Sequence, residues 1–232
     1  MRNKGKKFTF LWLAIVAIAI LVGIYFTFTY LLSSKAVTDS NNSILAIKVN
    51  DNDNFVYVIY LQPQQRLADI YKLSPYYYVL KTHRYLLEDG DPYIAVKKLK
   101  DYGIMQKSSP LFIMSVDRSI LTKYFGNEDD DMLIIKLLNY FQRNSDIPVF
   151  SYFSFKSFYD SLMDSAPVKI DQKLQPGLST LYNFLKLSSS VHIAYKHLPT
   201  LMQAPVEIGE FVKDGNLNHM KLQKKWYLDL DK

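Results

Sequence analysis

From Phe8 to Leu32 the chain runs 25 residues without a charged side chain, directly behind a tail holding Arg2, Lys4, Lys6 and Lys7. About 20 apolar residues suffice for a helix to cross a bilayer core, so this run is long enough to span with some tilt. A cleaved signal peptide begins in the same way, but its apolar region is only about 7 to 15 residues long. This run is longer and continues through Tyr25, Phe26, Phe28 and Tyr30. The pattern therefore predicts a retained anchor over residues 8–32. A basic tail stays on the cytoplasmic side, so residues 1–7 are expected inside and the rest of the chain outside.

Lys35 to Asn42 is polar and shows no period, which marks 33–42 as a tether before a domain over 43–232. ILAIKVN and FVYVIYL follow as two apolar, β-branched runs around Asp51-Asn52-Asp53-Asn54, the composition of a hairpin turn. Near-continuous apolarity puts both strands in the buried middle of a sheet. Pro63 ends the second strand, because it has no N–H to donate to a ladder. Asp91 and Pro92 form a cap and first position for a helix over 92–102, with Ile94, Ala95, Val96 and Leu99 at helical spacing and Gly103 as its stop. A strand is expected at 111–116, then a helix capped by Asp117 through Phe125, a helix over 132–144, a strand over 149–153, and helices over 155–163 and 178–187. The sum is a mixed α+β sandwich, a central β-sheet with helices packed on it, preceded by one transmembrane helix.

Charge and composition narrow the partners. The tail's four basic residues carry most of the net +6, so the remainder is close to balanced and nucleic acid is not the implied partner. The chain has no cysteine, which removes disulfides, thiolate nucleophiles and cysteine metal sites, and is compatible with a bacterial exterior. Glu88, Asp89 and Asp91 read as a capped helix start, and Glu128 to Asp131 as the favourable acidic first turn of a helix. His192 and His197 are spaced for neither one helix face nor one strand face, so no zinc site is expected. Tyr76-Tyr77-Tyr78 reads as a partly buried connection. No Gly-x-Ser-x-Gly elbow and no glycine-rich phosphate loop is present.

Several short motifs carry a resemblance. The hairpin ending at Pro63, the Gly90, Pro92, Ala95, Val96, Lys97 helix, the strand ending Val116-Asp117, and the closing VEIGEFVKDG and KKWYLDLD together resemble the extracytoplasmic LytR-CpsA-Psr family. The resemblance implies transfer of glycopolymers from a polyprenyl-pyrophosphate carrier, with arginines and acidic residues binding pyrophosphate and Mg²⁺. The departures fall on those residues. Where the family has Pro-Arg-Asp, this chain has Pro63-Gln64-Gln65, with Arg66 just beyond. A neutral amide supplies neither a guanidinium's charge-assisted contact nor the anionic oxygen that Mg²⁺ prefers. LSTLYNFLKLSSS stands where the family has an arginine-rich helix, and the family's opening Gly-x-Asp strand is missing. The expectation is thus a single-pass, non-catalytic relative in the bacterial cytoplasmic membrane, its domain periplasmic or extracytoplasmic. It would bind or scaffold within an envelope assembly, of the cell wall or a periplasmic flagellar apparatus, through protein partners and a polyprenyl lipid. Gln64, Gln65 and Arg66 form its remnant ligand site, with no catalytic residue, no metal ligand and no cofactor. The alternative is an active, Mg²⁺-dependent glycopolymer transferase.

Overall fold

The computed structural model describes residues 4–50, 55–79, 84–87, 91–142, 148–164, 171, 173–198, 206–214 and 217–228. The apolar run forms helix α1 (Lys4–Leu31), of which Trp12–Leu31 is long and apolar enough to cross a membrane and has no buried residue. The two apolar runs form strands β1 (Ser43–Asn50) and β2 (Val56–Gln62), antiparallel neighbours with Ile44 opposite Tyr60 and Ile47 opposite Tyr57. The expected turn at 51–54 lies outside the described residues. Every residue of β2 is buried, as the unbroken apolar run requires of a strand covered on both faces.

Pro63 ends β2, opening a 3-10 turn (Pro63–Gln65) that leads into β3 (Leu67–Leu73), antiparallel to β2. Short strands β4 (Tyr77–Val79) and β5 (Arg84–Tyr85) precede helix α2 (Pro92–Asp101). Asp91 caps α2 by accepting from the Tyr93 N–H at 2.8 Å, and Gly103 follows with a positive φ of 74° that suits glycine. Strand β6 (Leu111–Asp117) then feeds α3 (Arg118–Phe125), capped by Asp117 onto the Ser119 N–H. Helices α4 (Asp130–Leu138), α5 (Pro148–Asp164) and α6 (Leu178–Ser188) come next, then β7 (His192–Lys196), β8 (Val206–Asp214) and β9 (Leu217–Leu228).

The central sheet has the order β6-β1-β2-β3-β7, an antiparallel meander flanked on each edge by a strand parallel to its neighbour. A second sheet, β5-β4-β9-β8, joins the closing hairpin to β4. Two apolar cores lie on opposite faces of the central sheet. Tyr57, Ile59 and Leu61 of β2 enter the one covered by α4, α5 and α6. Val56, Val58 and Tyr60 enter the other, together with Ala95, Val96 and Leu99 of α2. The molecule is a mixed α+β sandwich, as the alternation of elements predicts.

Two local expectations are corrected. The run at 149–153, expected as a strand, is the opening of α5. A short aromatic run is ambiguous between strand and helix, and the continuation decides it. Ser151, Phe155, Phe158 and Leu162 are buried at helical spacing, and Pro148 suits a first helical position. The helix expected over 132–144 begins at Asp130 and ends at Leu138, with a 3-10 turn (Tyr140–Gln142) beyond it. The segment 33–42 has no helix or strand, yet it packs on the domain. Leu32 and Val37 are buried in the α4–α6 core, and the Asn183 amide donates to the Leu32 carbonyl.

Candidate functional site

The β2–β3 connection carries the three residues singled out in the sequence. Gln64, Gln65 and Arg66 are all exposed on the 3-10 turn. Arg66 adopts the left-handed conformation, φ 53° and ψ 43°, which lets its N–H return to the Pro63 carbonyl at 3.0 Å. Its own carbonyl accepts from the His192 N–H at 2.9 Å, tying the turn to β7. The Gln64 amide donates to the Ser40 carbonyl at 3.1 Å, so that side chain clips the 33–42 segment to the domain. The turn thus offers amide oxygens and one guanidinium, a donor set that lacks the hard anionic oxygens Mg²⁺ favours.

The buried charge beside this turn is one the sequence reading missed. Asp69 on β3 is 6% exposed and lies opposite Tyr60 in the ladder. One carboxylate oxygen accepts from the buried Gln62 amide at 3.1 Å; the other, Oδ1, has no hydrogen bond among the described residues and faces Lys196 Nζ at 3.9 Å. Burial pushes the Asp69 carboxyl above the ordinary aspartate range, against the opposing pull of Lys196 and of the Gln62 hydrogen bond. Burial likewise raises the neighbouring Tyr71 hydroxyl to about 12. The polar line continues along the same face, where the Tyr60 hydroxyl accepts from the Asn42 amide at 3.0 Å and the Gln106 N–H at 3.3 Å. Oδ1 is an acceptor, so a group meeting it would need to bring a hydrogen-bond donor. The available signal is an aspartate at an inward position of LADIYKL, a segment whose polar residues break the apolar pattern of a strand.

The acidic run resolves into separate structural partnerships. Asp129 caps α4 by accepting from the Met132 N–H at 2.7 Å, Glu128 pairs with Lys136 at 2.8 Å, and Asp130 pairs with Arg118 at 2.7 Å. Asp131 accepts from the Tyr57 hydroxyl at 2.6 Å and from Lys72 at 2.8 Å, while its carbonyl accepts from the Tyr195 hydroxyl. Burial first, and the Asp131 carboxylate second, push the Tyr57 hydroxyl far above its usual range. Among the described residues no group of three or more histidines or carboxylates is placed to hold a metal ion. His192 and His197 are both exposed. Glu88 and Asp89 lie outside the described residues. Tyr77 and Tyr78 belong to β4, half-buried, with Tyr76 exposed before them.

No family model and no curated protein matches the chain. Among solved structures it is similar to the Lin1025 protein from Listeria innocua, with 10% identity over 82% of this chain and 92% of that one and a TM-score of 0.47. It is similar also to EF0465 from Enterococcus faecalis, described as a transcriptional regulator, with 11% identity over 82% and 83% of the two chains and a TM-score of 0.45. A third similar structure is TagT from B. subtilis, with 7% identity over 84% of this chain and 88% of that one and a TM-score of 0.42.

Proposed function

We propose that this chain is a single-pass protein of the bacterial cytoplasmic membrane, whose extracytoplasmic LytR-CpsA-Psr-like domain over residues 43–232 binds or scaffolds within an envelope assembly and does not transfer glycopolymer. Residues 1–7 stay in the cytoplasm, 8–32 cross the bilayer, and 33–42 join the span to the domain. The observation that carries the non-catalytic reading is the β2–β3 turn. Its two glutamines are neutral and exposed, one of them bonded to the Ser40 carbonyl, and the neighbouring buried group is a carboxyl. Pyrophosphate recognition draws on charge-assisted contacts, each worth about 1.5–3 kcal/mol, and neutral amides supply none. The occupants of the assembly are protein partners, with a polyprenyl lipid as a further ligand of the domain.

The test is turnover by the intact protein reconstituted in vesicles with a polyprenyl-pyrophosphate-linked glycan and Mg²⁺. No phosphate release and no glycan transfer is the expected result, and Arg66→Ala should leave cellular function intact. Turnover that disappears in Arg66→Ala would overturn the reading, because it would place the missing arginine's role on Arg66. The orientation is tested separately. A protease added outside the cytoplasmic membrane should degrade the chain beyond Ser34 and spare the tail, whereas a protected domain would reverse the topology.

A further inference from the structure

Outside α1, the most exposed large apolar side chains among the described residues are Phe150 and Phe153, at 65% and 59%. Both stand in the first two turns of α5, on the side away from the buried Ser151, Phe155 and Phe158. Single exposed apolar residues need no explanation, but two on one helix face beside a membrane-length helix do. Pro148 to Phe155 contains no charged residue, and the first charges of α5, Lys156 and Asp160, pair with each other further along the helix.

Position decides what covers this face. Phe28 of α1 packs its ring on Tyr152 at 5.1 Å and on Phe153 at 5.5 Å between centroids. With a rise of about 1.5 Å per residue, Phe28 lies within roughly 5 Å of the outer end of α1, at the depth where aromatic side chains settle between hydrocarbon and headgroups. The join is also fixed laterally. Leu32 and Val37 are buried in the domain, and Ser34 lies 3.4 Å from the Thr180 hydroxyl of α6.

We propose that the opening two turns of α5 lie in the outer headgroup layer of the bilayer that α1 crosses, with Phe150 and Phe153 inserted among the lipids as a second, interfacial contact. The partner is the lipid surface itself, because the exposed face is continuous with a helix whose own surroundings are lipid. This rests on α1 being a membrane span. The contact holds the α4–α6 face of the sheet toward the membrane and the α2 face away from it.

The chain contains no cysteine, so single labels can be placed without a background. Nitroxide labels at Phe150→Cys, Phe153→Cys, Phe26→Cys and Lys97→Cys, each in the full chain in phosphatidylethanolamine–phosphatidylglycerol vesicles, are compared for collision with oxygen and with a water-soluble nickel chelate. Phe26 reports the span, and Lys97 is an exposed position on α2, on the opposite face of the sheet. The expected result is a several-fold lower nickel accessibility and higher oxygen accessibility at 150 and 153 than at 97, with 26 deepest. Nickel-accessible labels at 150 and 153 beside a lipid-buried label at 26 would overturn this inference and leave the anchor standing. A nickel-accessible label at 26 would overturn both. Spin–spin broadening between labels at 153 in neighbouring chains would show a second copy on this face in place of lipid, and would also overturn it.

Discussion

The two faces of strand β2 differ in a way that its sequence alone does not announce. Toward α5, Tyr57, Ile59 and Leu61 meet a core dense in aromatic rings, where Tyr140 stacks on Phe158 at 4.8 Å and Phe155 packs edge-on against Tyr182 at 5.3 Å. The Tyr57 hydroxyl reaches the Asp131 carboxylate at the margin of that core, so its polar end is fully engaged. Toward α2, the same strand presents Val56 and Val58 and then Tyr60 and Gln62, beside the buried Asp69. The Tyr57 hydroxyl is answered on the first face, whereas on the second Asp69 Oδ1 has no hydrogen bond among the described residues. A buried orphan acceptor lowers stability, whereas edge-to-face rings add to it. The first face thus gains from ring packing, and the second carries a buried carboxyl whose Oδ1 has Lys196 Nζ at 3.9 Å.

Phe158→Ala should have the largest effect, since Phe158 is completely buried and touches Tyr124, Phe125, Tyr140 and Phe155. A loss of about 3–5 kcal/mol is expected in chemical unfolding of the detergent-solubilised chain. A loss below about 1 kcal/mol would remove the contrast, because a fully buried ring in a tight core costs more than that to delete. Tyr57→Phe removes one hydrogen bond while keeping the ring. It should cost about 1 kcal/mol, below the roughly 1.5–3 kcal/mol of a bond to a fully buried charged group, because Asp131 is part-exposed and retains Lys72.

Asp69→Asn sharpens the other face through its pH dependence. The folded-state pKa of Asp69 is raised, so the wild type's proton-linked stability is fully present below the ordinary aspartate pKa of about 3.9 and is lost as pH rises through the higher folded value. The variant should therefore melt higher than wild type at neutral pH, with the gap closing on acidification. A gap that widens toward acid would show that the carboxylate is stabilised as an anion. The smallest effect belongs to Arg66→Gly. Glycine relieves a left-handed residue by about 1–2 kcal/mol but loses about 0.5–1 kcal/mol to unfolded-chain entropy, so a gain near 1 kcal/mol or less should appear as a slight rise in melting temperature. A marked loss would mean that the Arg66 side chain holds the turn.

What was legible came from long, unambiguous patterns. β1, β2 and α2 were readable because the apolar runs are continuous or periodic and because Asp91-Pro92 and Pro63 punctuate them with a definite stereochemical meaning. β3 and β7 were passed over because Asp69, Lys72, His192 and Lys196 interrupt their apolar character, and only pairing with β2 and with each other makes them strands. The opening of α5 was misread because five residues of mixed aromatic and serine composition satisfy both periods. Pro63 marks the end of β2 in the sequence as in the structure, but the buried Asp69 beside that turn was invisible, since burial belongs to the fold and not to the residue.

Charge-free length determined α1, alternation of elements determined a sandwich of sheet and helices, and the absence of cysteine excluded disulfide and thiolate chemistry, all without reference to three dimensions. These are one-dimensional properties, in which each residue's contribution depends on its neighbours in sequence. The docking of 33–42 on the domain, the packing of Phe28 on α5 and the burial of Asp69 were decided by tertiary structure alone. Each of them joins or separates segments distant along the chain, and the free energy of such contacts depends on which atoms exclude water from one another.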